Sequence, residues 1–258
     1  MKLIIISDVH GNCVALDAVL ADIQHESGDK IVCLGDAIQG GPQPAEVVQR
    51  LRELGCPAVM GNADAWLLDG EETGAEEIST ERLHKLHIVR EWSLTQLEAA
   101  DRTFISEFLP TIEIPLSPER SLLCFHGSPT SYDDLIFPYT PEEEFQRLLN
   151  PFADHILTGG HTHMQQIRRL GDSFFFNPGS VGLTYNHQQD EAGFRTDPWA
   201  EYAVLTAENG RIRLEFRRVP FDVAALLRAY QDSGRPFAEE AVAQYAPDVT
   251  AVGQPESS

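Results

Sequence analysis

The strongest constraint on this chain is a repeated arrangement: short apolar runs, each followed at once by residues able to hold a metal. Lys2 to Ser7 (KLIIIS), Ile31 to Leu34, Ala58 to Met60, Ser121 to Phe125 and His155 to Thr158 read as buried strands rich in β-branched and aliphatic residues. Asp8 and His10 follow the first run and Asp36 the second. Asn62 and Asp64 follow the third, His126 the fourth, and His161 and His163 the fifth. Between the first two runs, Leu16, Val19, Leu20 and Ile23 recur at helical spacing behind Asn12, a good N-cap residue, and a second helix is expected near Pro44 to Leu54. Strand, helix and strand alternate, which predicts an α/β fold with parallel pairing. Loops leaving the carboxyl ends of neighbouring strands converge in such sheets. Five segments far apart in the chain are therefore expected to bring Asp, Asn and His to one place.

Further along, Glu71 to Glu107 turns helical, with charged residues set between Leu83, Leu86, Ile88, Val89, Trp92 and Leu97. Thr111 to Pro115 reads as another strand and Pro141 to Leu149 as a helix. Hairpin turns are expected at Gly171-Asp172 and Asn209-Gly210, and a helix begins near Asp222. Without repeats, low-complexity tracts or a linker, residues 1–235 are expected to form a single domain, with 236–258 as a loosely held tail. Residues 128–150 are expected to form a lid or cap segment. Within it, Ser128 to Tyr139 (SPTSYDDLIFPY) mixes aromatic and turn residues just after His126. It reads equally as a lid that stacks a base or ring and as a surface loop pinned by Phe137 and Tyr139.

A net charge of -21 over 258 residues repels phosphodiester backbones and anionic membranes. No long nucleic acid and no membrane is therefore expected as a partner, while clustered carboxylates remain able to recruit cations. The apolar run Leu3 to Ile6 is too short for a secretory segment. Cys13, Cys33, Cys56 and Cys124 have no CxxC pair or disulfide-like spacing, and a reduced cytoplasmic protein is expected.

Each motif alone has an ordinary reading. Asp8-x-His10 could be a helix cap beside a packed histidine, Gly35-Asp36 and Gly61-Asn62 could be turns, and His126 could be packing. His161-x-His163 says more, because alternate residues of an extended segment point the same way and Gly159-Gly160 allows close backbone approach. The set taken together is specific for a metal site.

The same residues carry a resemblance. Ser7-Asp8-Val9-His10-Gly11-Asn12, Gly35-Asp36, Gly41-Pro42, Gly61-Asn62-Ala63-Asp64, His126-Gly127-Ser128-Pro129, Gly160-His161-Thr162-His163 and Asn177-Pro178-Gly179-Ser180-Val181-Gly182 follow one another along the chain, and the stretch RRVPFD runs through Asp222. This order resembles the calcineurin-like metallophosphoesterase superfamily, and most of all its small bacterial and archaeal phosphodiesterase branch. The resemblance implies β-sheets flanked by helices in an αββα sandwich. It implies two divalent ions (Mn, Fe, Zn or Ni, with Mn favoured). Asp8, His10, Asp36 and His163 would surround one ion and Asp36, Asn62, His126 and His161 the other, with Asp36 bridging. It also implies catalytic roles for Asp36, Asn62, Asp64 and His163, and hydrolysis of phosphate esters by a metal-bridging hydroxide. The chemistry agrees, since mixed carboxylate, imidazole and amide-oxygen ligands suit such ions, and a pair about 3.5–4 Å apart can clamp attacking and leaving oxygens.

Two positions depart from the wider superfamily. Many members carry a His, a candidate general acid, where this chain has Ala63, which leaves Asp64 without an imidazole neighbour and favours substrates whose leaving group needs little protonation. The protein phosphatases and symmetric dinucleoside tetraphosphate hydrolases usually place Asp-Arg where this chain has Gln39-Gly40. Asn12, at the start of the first helix, and Arg195 are the remaining candidates for phosphate contact, the latter reading equally as a solvated loop residue. The expected substrate is a small nucleotide or related phosphoester, cleaved as a diester. An asymmetric dinucleoside-polyphosphate hydrolase, a phosphomonoesterase and a non-catalytic metal-binding scaffold of the same fold are the alternatives. A metallo-β-lactamase-type enzyme would want a His-x-His-x-Asp-His run, which the chain lacks.

Overall fold

In the chain's first strand, β1 (Lys2–Ile6), side chains alternate between two cores, as period-2 geometry requires. Ile4 and Ile6 face a helical layer, while Leu3 and Ile5 face a second sheet. The computed structural model describes residues 1–24, 28–71, 79–189 and 194–245. After β1 come α1 (Cys13–Ile23), β2 (Lys30–Cys33), α2 (Pro44–Leu54), α3 (Asn62–Asp69), α4 (Thr80–Gln96) and α5 (Ala99–Ser106). The strands β3 (Ile112–Ser117) and β4 (Arg120–Cys124) precede α6 (Glu142–Leu149) and β5 (Ile156–Thr158). Two hairpins follow, β6 (Gln166–Leu170) with β7 (Ser173–Asn177) and β8 (Trp199–Glu208) with β9 (Arg211–Pro220). The helices α7 (Val223–Asp232) and α8 (Ala238–Ala243) come last.

The strands form two sheets, ordered β2-β1-β8-β9 and β3-β4-β5-β7-β6. β1 pairs parallel with β2, as a strand–helix–strand unit should, and antiparallel with β8. In the second sheet β4, β5 and β7 run parallel. Leu3, Ile5, Val32 and Leu34 of the first sheet meet Ile112, Leu122, Ile156 and Phe176 of the second in a dry layer between the sheets. The outer face of the first sheet packs on α1, α2 and α7 through Leu16, Val19, Val47, Leu51 and Leu226. The outer face of the second packs on α6 through Phe145, Leu148 and Leu149. Each such buried aliphatic or aromatic side chain contributes about 1.5–3 kcal/mol. The result is the αββα sandwich. Among the described residues, no helix is long and apolar enough to cross a membrane, and the four cysteines are free and buried.

Local signals act as the residue types require. Asn12 Oδ1 accepts from Ala15 N at 3.0 Å and caps α1, while Gly55 (φ 55°) closes α2 in the left-handed conformation. Asn209 (φ 51°) and Gly210 (φ 73°) both take positive φ, as a type I′ hairpin turn demands.

Three expectations need correction. Ala58 to Met60 does not form a ladder strand. It makes only the single bridges Cys33↔Ala58 and Val59↔Leu109, because Pro57 brings no N–H and Gly61 ends the run. The second half of the expected lid, α6, is core-forming, with Phe145 and Leu149 fully buried against the second sheet. The expected tail begins with the ordered helix α8, whose Ala241 is buried and whose Gln244 O accepts from Thr196 N at 3.2 Å. Residues 246–258 of that tail lie outside the described residues.

Candidate metal centre

The metal-capable residues leave the strands through tight turns that hook the chain back across both sheet ends. Asp8 N donates to Gly35 O at 3.0 Å and His10 N to Asp36 O at 2.9 Å, so the loops after β1 and β2 are bonded to each other. Seven non-glycine residues among those described have positive φ, and five of them are Asp8, His10, Asp36, His161 and His163. A side chain in that region costs roughly 1–2 kcal/mol, and such strain concentrates where a function requires it. His161 (φ 66°) and His163 (φ 52°) are therefore not alternate residues of an extended segment, and the expected reason for their pairing was wrong. The left-handed turn aims them at two different clusters.

Asp8, His10 and His163 offer ligand atoms within 4.8 Å of one another, as do Asp36, His126 and His161. Each trio draws on both sheets: Asp8, His10 and Asp36 follow β1 and β2, whereas His126, His161 and His163 follow β4 and β5. In the first trio, His10 Nε2 lies 3.1 Å from His163 Nε2, and His163 Nε2 lies 3.3 Å from Asp8 Oδ1. In the second, His126 Nε2 lies 3.5 Å from Asp36 Oδ2 and 3.0 Å from Asn62 Oδ1. Asp36 Oδ2 is also 3.8 Å from His10 Nε2, so this one carboxylate oxygen stands between the trios. The two histidine pairs repeat one geometry, with ring centroids 4.9 Å apart and planes at 50° in both His10–His163 and His126–His161.

A second layer fixes the orientation of these rings. Nδ1 of His10, His126 and His163 donates to the carbonyls of Gln39 (2.9 Å), Leu34 (2.8 Å) and Leu183 (2.7 Å). A carbonyl only accepts, so Nδ1 carries a hydrogen and Nε2 faces inward, where its lone pair becomes available once any proton on it is displaced, the arrangement metal-binding histidines use. His161 Nε2 is buried without any partner. Close packing holds the carboxylates as well. A Cβ on Gly160 would lie 2.8 Å from Asp8 Oδ2, and one on Gly61 would collide with Asp36 Oδ1. Asp36 Oδ1 accepts from Ala63 N at 2.8 Å, which leaves Oδ2 for the centre.

Charge in the cluster is tightly balanced. Burial opposes ionisation of Asp36, but the neighbouring His126, His10 and His161 outweigh it and hold the carboxyl below its ordinary range. Asp8 is likewise lowered, chiefly by His163 working against burial. Burial also works against charge on His126, yet Asp36 beside it pushes the imidazole up to about 9, and His163 is raised by Asp8 in the same way. Burial and the charge of His126 bring His161 down to about 4, and burial with His163 lowers His10. Two histidines that want protons alternate with two that refuse them. These residues fit divalent cations, because a cation satisfies both carboxylates and the crowded inward nitrogens at once, replacing bound protons.

Three expected site residues lie elsewhere in function. Asp64 is fully buried behind Asp36, where its oxygens accept from Ala37 N and Ile38 N at 3.1 Å. It shapes the turn that carries Asp36 and is not placed to act on substrate. The Asn12 side chain is consumed by the α1 cap and by donation to Gly182 O at 3.1 Å, and its backbone N–H bonds Val9 O. The Arg195 guanidinium donates to the Phe194 and Ala243 carbonyls, at the end of α8. Sequence reasoning missed Ser180, whose hydroxyl donates to Asp8 O and accepts from Leu183 N, each at 2.8 Å. It thereby ties the first ligand to the carbonyl that orients His163. The NPGSVG stretch was visible but had no assigned role.

Residues 1–209 match the family described as the calcineurin-like phosphoesterase superfamily domain. The chain belongs to that superfamily. It is thus a metal-dependent phosphoester hydrolase by class. Among its relatives, the uncharacterized protein MJ0912 of Methanocaldococcus jannaschii is 27% identical over 243 residues, covering 85% of this chain and 87% of that protein. Phosphodiesterase YfcE of Escherichia coli is 28% identical over 193 residues, 71% of this chain and 80% of YfcE. A metallophosphoesterase from Sphaerobacter thermophilus shares the fold with a TM-score of 0.70, at 24% identity and over 94% of this chain and 98% of its own.

Proposed function

We propose that this superfamily member is a dinuclear phosphodiesterase acting on a small phosphoester with a good leaving group. The observation that carries the reading is the position of Asp36 Oδ2, 3.5 Å from His126 Nε2 and 3.8 Å from His10 Nε2, between two trios of metal-capable groups. Asp8, His10, Asp36 and His163 would hold one cation, and Asp36, Asn62, His126 and His161 the other. When bound, such a pair supplies fixed positive charge to the phosphoryl oxygens and acidifies a water nucleophile. The chain's part is positional. The carbonyls of Gln39, Leu34 and Leu183 fix three imidazoles, and Ala63 N fixes Asp36. A mixed set of imidazole, carboxylate and amide oxygen supports Mn, Fe or Zn, with Mn our choice.

Ala63 supplies no acid for a leaving oxygen, and Asp64 faces backbone amides. Activated diesters and phosphoanhydrides suit that lack better than alkyl monoesters. The naming of YfcE as a phosphodiesterase supports the same preference. The net charge of -21 argues against long nucleic acid as substrate. The test is hydrolysis of bis(p-nitrophenyl) phosphate by Mn²⁺-loaded protein, with Asp36→Asn expected to lose activity more than about 100-fold. Turnover unaffected by Asp36→Asn would overturn the bridging role. Absence of turnover with every divalent ion, together with tight binding of a protein partner, would favour the scaffold instead.

A further inference from the structure

Beside the metal-capable cluster, rings form an unbroken strip from a candidate ligand to solvent. Tyr185 sits edge-on to His163 with centroids 5.6 Å apart. His187 lies 4.4 Å from Tyr185 at 30°, Phe137 meets His187 edge-on at 5.7 Å, and Tyr139 stacks on Phe137 at 5.0 Å with planes only 3° apart. Phe194 backs Tyr185 at 5.0 Å. Tyr185, His187 and Phe137 are half-buried, and Tyr139 at the end of the strip is 69% exposed.

This strip is built, not loose. Ile136 is buried and its carbonyl accepts from Gln166 Nε2 at 2.5 Å; Phe137 N donates to Thr140 Oγ1 at 2.8 Å, and Arg168 holds Thr140 O at 2.8 Å. Those bonds keep the Phe137–Tyr139 pair parallel without burying Tyr139, so little of its stability comes from area removed from water. Within the strip, His187 is held between the rings of Tyr185 and Phe137 and by a hydrogen bond with the Thr162 backbone. A planar, solvent-facing pair of stacked rings joined to a candidate ligand by a continuous run of aromatic contacts suits a flat heteroaromatic ring, which stacks by its π-face. Stacking is also indifferent to charge. On a chain of net charge -21 that matters, because an anionic ester gains nothing from long-range attraction.

We propose that the Tyr185–His187–Phe137–Tyr139 strip is the specificity subsite of this centre, selecting phosphoesters that carry a nucleobase over those that carry only sugar or alkyl groups. The proposal rests on the phosphodiesterase reading above, and the experiment separates the two. Calorimetry on the Mn²⁺-loaded full chain compares AMP with ribose 5-phosphate, in which an anomeric hydroxyl stands in place of the base. AMP is expected to bind at least about tenfold more tightly, the lower part of what one ring-on-ring stack contributes. Tyr139→Ala should shrink that preference to under about threefold, and Tyr139→Phe, which keeps the ring, should restore it. Equal affinities in the wild type, or a preference untouched by Tyr139→Ala, would overturn the subsite. A base preference without turnover of bis(p-nitrophenyl) phosphate would sink the enzymatic reading and leave the strip; turnover without preference would do the reverse.

Discussion

Asp64 gives the sharpest way to separate shaping the site from acting in it. Its carboxylate is fully buried and accepts Ala37 N and Ile38 N at 3.1 Å. Asp64→Ala strips two buried N–H groups of their acceptor, at about 1–3 kcal/mol each, or roughly 2–6 kcal/mol in all. For a chain of this length that corresponds to a fall in melting temperature on the order of 10 °C. Asp64→Asn keeps one oxygen in place, and Oδ1 alone already reaches both amides, so it should recover more than half of the loss. Because the same turn carries Asp36, Asp64→Ala should also weaken Mn²⁺ binding by about tenfold, some 1.4 kcal/mol. Urea unfolding of metal-free protein reads the first effect, and manganese titration reads the second. An Asp64→Ala protein as stable as wild type, with manganese bound normally but hydrolysis abolished, would refute the positional account and make Asp64 a participant in the chemistry.

Metal uptake should depend on pH. In the metal-free protein, burial resists charge on His126, but Asp36 outweighs it and lifts the imidazole to about 9, against an ordinary 6.5. The protonated ring therefore adds stability that is complete below pH 6.5 and lost as pH rises through 9. A cation must displace this proton, so manganese affinity should climb between pH 6.5 and 8.5, by about tenfold per unit for each proton released. Calorimetry in buffers of differing ionisation enthalpy measures that release, and a flat affinity profile would contradict the assignment. Gly160→Ala places a methyl against Ser7 Oγ and 2.8 Å from Asp8 Oδ2. It should cost about 1–3 kcal/mol of stability and weaken manganese binding, both visible in thermal melts with and without metal.

Which residues converge was legible because residue type and strand position coincide. A run such as KLIII, dominated by isoleucine, favours a buried strand, and a carboxylate or imidazole just past one emerges at the sheet's end. The purpose of each carboxylate was less legible. Asp36 and Asp64 both follow an apolar run and a glycine, yet one faces the cluster and the other faces amides. Only the turn geometry separates them. Left-handed backbone at His161 and His163 was likewise hidden, since histidine is enriched at positive φ but is found there in only a small minority of cases. The helix α8 escaped notice because Phe237, at φ 58°, precedes it without a side-chain cap. The aromatic strip was half visible in Phe137 and Tyr139, but its other half comes from Tyr185 and His187, some fifty residues away.

Each trio takes members from loops of both sheets, and this makes the cations more than reagents. A bound ion rivets one layer of the sandwich to the other at the rim, where among the described residues no strand ladder joins the two sheets and the loops are tied only by single hydrogen bonds such as Val181 N to Ser7 O at 2.9 Å. Separating the layers then means tearing ligands off metal, so a chain starved of metal should open first along that seam. Its lifetime would follow the supply of the ion as closely as its turnover does.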